Sequence, residues 1–305
     1  MINKIKELKD QKGALIIAHY YQASEIQDLA DYVGDSLGMA IFAKKTDSRI
    51  AVVCGVKFMA ETFKVMNPEK KILVPDAGAG CSLADSCTPA VFAYFKSKHP
   101  DAYVMTYVNS SLEIKAMSDV ICTSANAVKI ARQIPSDRKI IFGPDQHLGR
   151  FVAKESGRDL ILFPANCFVH TSFSAKTLYE FTKVYPEAKI IAHPECEEAI
   201  LEFADFIGST GQLLKYTKES DAQSFIVMTE SGILHQMRKQ CPHKTFIVGP
   251  DLSGCSCSEC PHMRLNTLEK ILLCLQKEQP EICVDKELAQ KALIPINRMM
   301  EMGVG

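Results

Sequence analysis

The chain has no tryptophan, no low-complexity tract and no run of about 18 apolar residues. The last absence removes any candidate for a membrane-spanning helix. The formal net charge is -1 over 305 residues, so there is no basic field of the kind nucleic acid demands. No run of like charge is long enough to read as a solvated tail. Neither a GxGxxG nor a GxxxxGKS/T phosphate loop occurs, which argues against a dinucleotide or nucleoside-triphosphate enzyme. Residues Met1 to Gln11 alternate polar and apolar in a helical pattern and lack the apolar stretch of a secretory signal. A cytoplasmic location is expected, with no membrane and no nucleic-acid partner.

Cysteine is too sparse for a disulfide scaffold. Twelve occur in the chain, well under the roughly 8–10% of such proteins. In a reducing compartment they are buried small hydrophobes or ligands. Cys54, Cys122, Cys196, Cys274 and Cys283 lie inside or beside apolar runs and read as buried thiols. Cys87, six residues after Cys81, reads the same way.

What is present is a composition 47% hydrophobic and 23% charged, ordinary for a globular protein and sufficient for two or three compact units. Apolar β-branched runs alternate with helical periodicity. Strands are expected at Ala14–Ala18, Ile50–Val53, Ile72–Pro75, Ala102–Tyr107, Lys139–Phe142, Leu160–Phe163, Lys189–Ala192, Ser224–Met228 and Thr245–Val248. Such alternation implies an α/β fold with parallel sheets covered by helices.

The nine strands fall into three similar units. Each opens with a strand ending in a polar cluster: Ala18-His19-Tyr20-Tyr21-Gln22, Thr106-Tyr107-Val108-Asn109-Ser110 and Ala192-His193-Pro194-Glu195-Cys196. His19 to Asp31, Tyr107 to Asp119 and His193 to Asp205 are each 12 residues; the further steps to Ser36, Ser124 and Thr210 are each five. The units begin 88 and 86 residues apart. A repeat of that length is a domain triplication and predicts three α/β/α sandwiches arranged pseudo-threefold around a central cavity. The expected divisions are 1–86, 87–171 and 172–260, with 261–305 packing back on the first. Ligands of open α/β sheets bind beyond the carboxyl ends of the strands, where the polar clusters and cysteine loops lie.

Cys81, Cys167 and Cys260 each follow the third of these strands in their unit, so one thiolate from each can reach a common point. Three thiolates on a [4Fe–4S] cluster leave one iron open to act as a Lewis acid. Spacing leaves a zinc site, a Cys257–Cys260 redox pair or inert thiols as alternatives. Ser36, Ser124 and Thr210 each precede a helix. They read either as N-caps or as anion sites at helix termini facing a cavity; Ser209 adds a second hydroxyl in the third unit. Ser24–Gln27 and Ser110–Glu113 read as capping boxes. At the strand ends, His193 and Glu195 can move protons, Tyr21 and Tyr107 can donate to developing anions, and Asn109 can hold a carboxylate. The three aspartates are expected to bond loop backbone. Gly143–His147 and Gly249–Asp251 read as turns, with His147 and His170 as weaker candidates for the cavity.

In this order, the stretches His19-Tyr20-Tyr21-Gln22, Gly34-Asp35-Ser36-Leu37, Thr106-Tyr107-Val108-Asn109-Ser110, Cys122-Thr123-Ser124-Ala125-Asn126, Cys167-Phe168-Val169-His170, His193-Pro194-Glu195-Cys196, Gly208-Ser209-Thr210 and Cys260-Pro261-His262-Met263 resemble the quinolinate synthase family over essentially the whole chain. The resemblance implies three α/β domains around a [4Fe–4S] cluster held by Cys81, Cys167 and Cys260. It selects Cys260, just before the Pro-x-Met stretch, over Cys255 and Cys257. Some members carry CxxCxxC there, whereas this chain has CxCxxC. It further implies a step of NAD biosynthesis in which iminoaspartate and dihydroxyacetone phosphate give quinolinate, phosphate and water, with an aspartate-oxidising enzyme supplying the imine. Catalytic roles then fall to Glu195, Tyr21, Tyr107 and His193, and substrate binding to His19, Ser36, Asn109, Ser124, Ser209 and Thr210. Another [4Fe–4S] dehydratase, or a non-enzymatic cluster carrier or redox sensor, would share some of these features.

Overall fold

Three four-stranded sheets, all parallel and all with the same strand order, make up the molecule. The computed structural model describes residues 1–251 and 258–303; Cys255 and Cys257 lie outside them. The first unit runs α1 (Ile2–Lys12), β1 (Ala14–His19), α2 (Ser24–Leu29), β2 (Tyr32–Gly34), α3 (Ser36–Lys45), β3 (Ile50–Cys54), α4 (Lys57–Met66), β4 (Lys71–Leu73) and α5 (Ser82–Ser86). The second repeats it as α6 (Pro89–Ser97), β5 (Tyr103–Tyr107), α7 (Leu112–Ala116), β6 (Val120–Cys122), α8 (Ala127–Gln133), β7 (Ile140–Gly143), α9 (Gln146–Ser156), β8 (Leu160–Leu162) and α10 (Phe168–Thr171). The third follows as α11 (Ala175–Val184), β9 (Lys189–Ala192), α12 (Glu198–Leu201), β10 (Phe206–Ile207), α13 (Thr210–Glu219), β11 (Ser224–Met228), α14 (Ile233–Gln240) and β12 (Thr245–Val248). A 3-10 turn (Met263–Leu265), α15 (Leu268–Lys277) and α16 (Lys286–Gly303) complete the chain.

The sheet orders are β2-β1-β3-β4, β6-β5-β7-β8 and β10-β9-β11-β12. Inner strands such as Ile16-Ile17-Ala18 and Phe225-Ile226-Val227 are buried on both faces, as parallel sheets sandwiched by helices require. Among the described residues, twelve strands replace the nine expected. The additional β2, β6 and β10 are two or three residues long and sit at a sheet edge. They are too short to show period-two alternation, so the sequence reads there as turns. Their ends nevertheless position Asp35-Ser36, Thr123-Ser124 and Ser209-Thr210.

The aspartate triplet fastens each edge strand to its neighbour. Asp31 accepts from Ile16 N at 2.8 Å, Asp119 from Val104 N at 2.7 Å and Asp205 from Ile190 N at 2.8 Å. Each aspartate's own N–H returns to the same residue's carbonyl at 2.8 Å. The task is structural, as expected, but the partner is strand backbone and not loop.

Two capping assignments change. Ser24 opens α2 without capping it, and Gln27 donates to the carbonyls of Tyr20, Gln22 and Gly232. Ser111 caps α7, while Ser110 bonds the Tyr107 carbonyl. The capping box lies at Ser209–Gln212. Cys283, expected to be buried, is exposed.

Helix α15 packs on α1 and β3 of the first unit, whereas α16 lies chiefly across α7, β6 and α8 of the second. One apolar core therefore runs through the first two units and α16. The third unit has separate cores on its two sheet faces. No helix among the described residues is long and apolar enough to cross a membrane.

Candidate active site

The carboxyl ends of the three sheets converge on a cavity of about 140 Å³. The first unit contributes His19, Tyr21, Ser36 and Cys81; the second Tyr107, Asn109, Ser124 and Cys167; the third His193, Glu195, Thr210 and Cys260. Twelve of the thirteen residues singled out in the sequence thus face one space. Ser209 does not line it. Its hydroxyl accepts from Gln212 N at 3.3 Å and donates to Asp35 at 3.2 Å, so it is occupied as a helix cap.

The other hydroxyls have no capping task. Asp35 caps α3, accepting from Gly38 N at 2.9 Å, and Ser209 caps α13. Ser36 and Thr210 are consequently first helical residues and not caps, and Ser124 stands three residues before α8. The N-cap reading fails for Ser36 and Thr210 because Asp35 and Ser209 already fill that role, and for Ser124 because Asn126 holds the N-cap position of α8, without a side-chain capping bond.

The strand-end histidines share one local device. Tyr21 N donates to His19 Nδ1 at 3.2 Å, and Glu195 N to His193 Nδ1 at 3.3 Å. With Nδ1 accepting, the neutral ring carries its proton on Nε2. His193 Nε2 meets Ser124 Oγ at 3.1 Å across the unit boundary. Burial first, and for His193 also the neighbouring His170, lowers both histidines to about 3. They are uncharged donors at neutral pH.

Glu195 is the buried acid at the centre, 2% exposed. Burial alone would raise its carboxyl, but His170 and a hydrogen bond with Tyr107 outweigh that and hold it well below the ordinary carboxylate range. His170 Nδ1 lies 2.8 Å from Glu195 Oε2, and its Nε2 meets Thr229 Oγ1 at 2.9 Å. The His170 ring also stacks on His193, with centroids 4.6 Å apart. Tyr21 shares hydrogen bonds of 2.8 Å with Thr210 and with Thr229. Burial pushes Tyr21 and Tyr107 well above the usual phenol range, the Glu195 charge adding to it, so both stay protonated. Asn109 Oδ1 is buried with no hydrogen-bond partner, an orphan that a bound molecule would satisfy.

His170 and Thr229 therefore belong to the network, and His147 does not. His147 lines a separate crevice with Arg150 and Cys196. His170 was legible from its place three residues after Cys167. Thr229, the residue after β11, carried no sequence signal.

Each of the three thiols stands just before a short helical turn. Cys81 precedes α5, Cys167 precedes α10, and Cys260 precedes the 3-10 turn. Each sulfur accepts backbone N–H from the residues ahead: Ala84 and Leu83, His170, and Met263 and His262 respectively. Such donors favour a thiolate. Burial works the other way, pushing Cys81 up to about 12 and raising Cys167 and Cys260. Thiols so placed become ligands when a metal displaces their protons. Val56, Phe58 and Met59 add apolar wall. One mixed set of donor atoms, from Cys167, His170 and Glu195, also lies within 4.8 Å of one another. Both nitrogens of His170 already face polar partners there.

Comparison with known proteins agrees with this geometry. A family model described as quinolinate synthetase A protein, NadA, matches residues 3–301. A protein of Microcystis aeruginosa named quinolinate synthase is 56% identical over 302 residues, covering 99% of this chain and 95% of its own. One of Cyanophora paradoxa with the same name is 55% identical, covering 99% and 92%. A third, of Synechocystis, is 54% identical, covering 99% and 95%. With matches of that extent, the chain belongs to the quinolinate synthetase A family.

Proposed function

We propose that this protein condenses iminoaspartate with dihydroxyacetone phosphate to give quinolinate, phosphate and water. The observation that carries the reading is the meeting of three thiols, one from each unit, with the Glu195–Tyr107–His170 network in a single cavity. The donor set suits a [4Fe–4S] cluster. Cys81, Cys167 and Cys260 would hold it, and it would supply an open iron as a Lewis acid for loss of water.

The protein's own groups do the rest. Glu195, ionised and fixed by His170, accepts protons in enolisation and imine formation. Tyr107, hydrogen-bonded to Glu195, and Tyr21 remain O–H donors to developing anions. The Nε2–H groups of His19 and His193 offer neutral donors, so they orient substrate oxygen without adding charge. Asn109, Ser36, Ser124 and Thr210 line the cavity and would hold carboxylate and phosphate oxygens, with the α3 and α13 termini behind Ser36 and Thr210. The buried, apolar-walled cavity keeps water from the imine. We include Ser209 only through its cap on α13. We retain the divisions 1–86, 87–171 and 172–260 as the proposed domains, with an aspartate-oxidising enzyme as the proposed supplier of the imine.

The test is anaerobic turnover with freshly generated iminoaspartate and dihydroxyacetone phosphate, following quinolinate. Formation of quinolinate, lost in Glu195→Gln, supports the reading. Dehydration of simple hydroxy acids with no quinolinate would replace it by another dehydratase.

A further inference from the structure

Two buried carboxylates occupy matching places in the second and third units. Asp145 stands two residues beyond the end of β7, and Glu230 two residues beyond the end of β11. Both are 0% exposed. Asp145 Oδ2 accepts from Cys167 N at 3.0 Å, and Glu230 Oε1 accepts from Cys260 N at 3.1 Å. The second oxygen of each bonds backbone close by in the chain: Asp145 Oδ1 accepts from Leu148 N at 2.7 Å, capping α9, and Glu230 Oε2 from Gly232 N at 2.7 Å. Arg264 Nη2 adds a third bond to Glu230 at 3.2 Å. The approach to Gly232 needs glycine, since a Cβ there would lie 2.8 Å from Glu230 Oε2 and 2.8 Å from the Tyr20 carbonyl. In the first unit the corresponding residue, two beyond β3, is Val56.

Resting on the cluster reading above, we propose that Asp145 and Glu230 are positioning residues that fix the backbone of Cys167 and Cys260, so that both sulfurs are set before metal arrives. Burial raises both carboxyls, Glu230 to about 8, and the N–H donors at their oxygens oppose the rise; each group uses both oxygens as acceptors. An amide of the same shape has one accepting oxygen and presents N–H to the other donor, so it breaks one of the two bonds. The consequence is a looser ligand and not a missing one. Groups that orient ligands from behind typically contribute about 10–100-fold in metal retention.

The test uses the full chain loaded with iron and sulfide without oxygen, as wild type, Asp145→Asn, Glu230→Gln and Glu230→Asp. Asp205→Asn serves as a control that likewise takes a carboxylate from a backbone N–H, that of Ile190 in β9, but lies away from the thiols. Cluster loss is followed by visible absorption under an iron chelator, the reduced cluster by electron paramagnetic resonance, and folding by melting of the metal-free chain. The expected result is at least about tenfold faster loss in Asp145→Asn and Glu230→Gln. Altered resonance positions are expected with it, and wild-type behaviour in Asp205→Asn. If Glu230→Gln does not fold, Glu230→Asp decides by the same two readouts. Wild-type loss rates and spectra in the folded variants would overturn the positioning role alone. A wild-type chain that takes up no cluster would overturn the cluster reading, and this inference with it.

Discussion

The frame of the molecule and the lining of its cavity obey different rules. The frame repeats: Asp31, Asp119 and Asp205 make the same two bonds to the same strand position in all three units. The lining departs from the repeat. His19-x-Tyr21 and His193-x-Glu195 share a histidine device that the second unit replaces with Tyr107-x-Asn109. At these matched strand-end positions the acid is Glu195, in the third unit. A triplicated scaffold thus needs its aspartates three times over, while one asymmetric cavity needs a single base, two phenols and one amide. Equal residues at equivalent places mark architecture, and unequal ones mark chemistry.

That contrast can be broken by substitution on either side. Glu195→Gln should lower turnover about 10³-fold while metal content and melting temperature stay near wild type. Unchanged turnover would remove Glu195 from the chemistry. Tyr107→Phe, which loses a single donor, should cost about 10²-fold in turnover; a change confined to KM would make it a binding residue only.

A pH effect on the metal-free protein comes next in size. Burial holds His19 and His193 at about 3 in the folded chain, against an ordinary 6.5. Below pH 6.5 the unfolded chain gains protons that the folded chain refuses until about pH 3. Their contribution is therefore complete above 6.5 and declines as pH falls towards 3, at most about 1.4 kcal/mol per pH unit for each histidine. Melting temperatures across pH 5 to 7.5 should fall on the acid side, less steeply in His193→Gln; equal slopes would mean that His193 is not buried neutral. The smallest effect belongs to the frame. Asp31→Ala, Asp119→Ala and Asp205→Ala should each cost roughly 1 kcal/mol in denaturant unfolding and leave turnover of the folded enzyme unchanged. A large turnover defect in one of the three would show that the frame is not equivalent.

Much of this was legible because the repeat is regular. Spacings of 12 and five residues located the strand ends and the hydroxyls, and with them nine of the cavity residues; the three cysteines came from the loops after the third strands, with Cys260 selected over Cys255 and Cys257 by the family resemblance. The strands β2, β6 and β10 were missed because two or three residues cannot display alternation. Ser209 was misplaced because sequence does not say which of two adjacent hydroxyls caps a helix; Gln212 settles it by completing a capping box. Asp145 passed as turn chemistry because Gly143-Pro144-Asp145 reads as a turn, whereas Gly143 ends β7 and Asp145 caps α9, and the second partner of its carboxylate is 22 residues away. Comparing it with Glu230 across the repeat would have raised it. Thr229 acts through Tyr21 and His170, which are 208 and 59 residues distant, and no local pattern encodes that.

The most direct measurement is iron and sulfide content with visible absorption after anaerobic loading, for wild type and for Cys81→Ser, Cys167→Ser and Cys260→Ser. The account predicts about four irons and four sulfides per wild-type chain, with the intact cluster lost in each of the three variants. A colourless wild-type protein that cannot be loaded, or a full cluster in any one variant, would contradict a site built from one thiol of each unit.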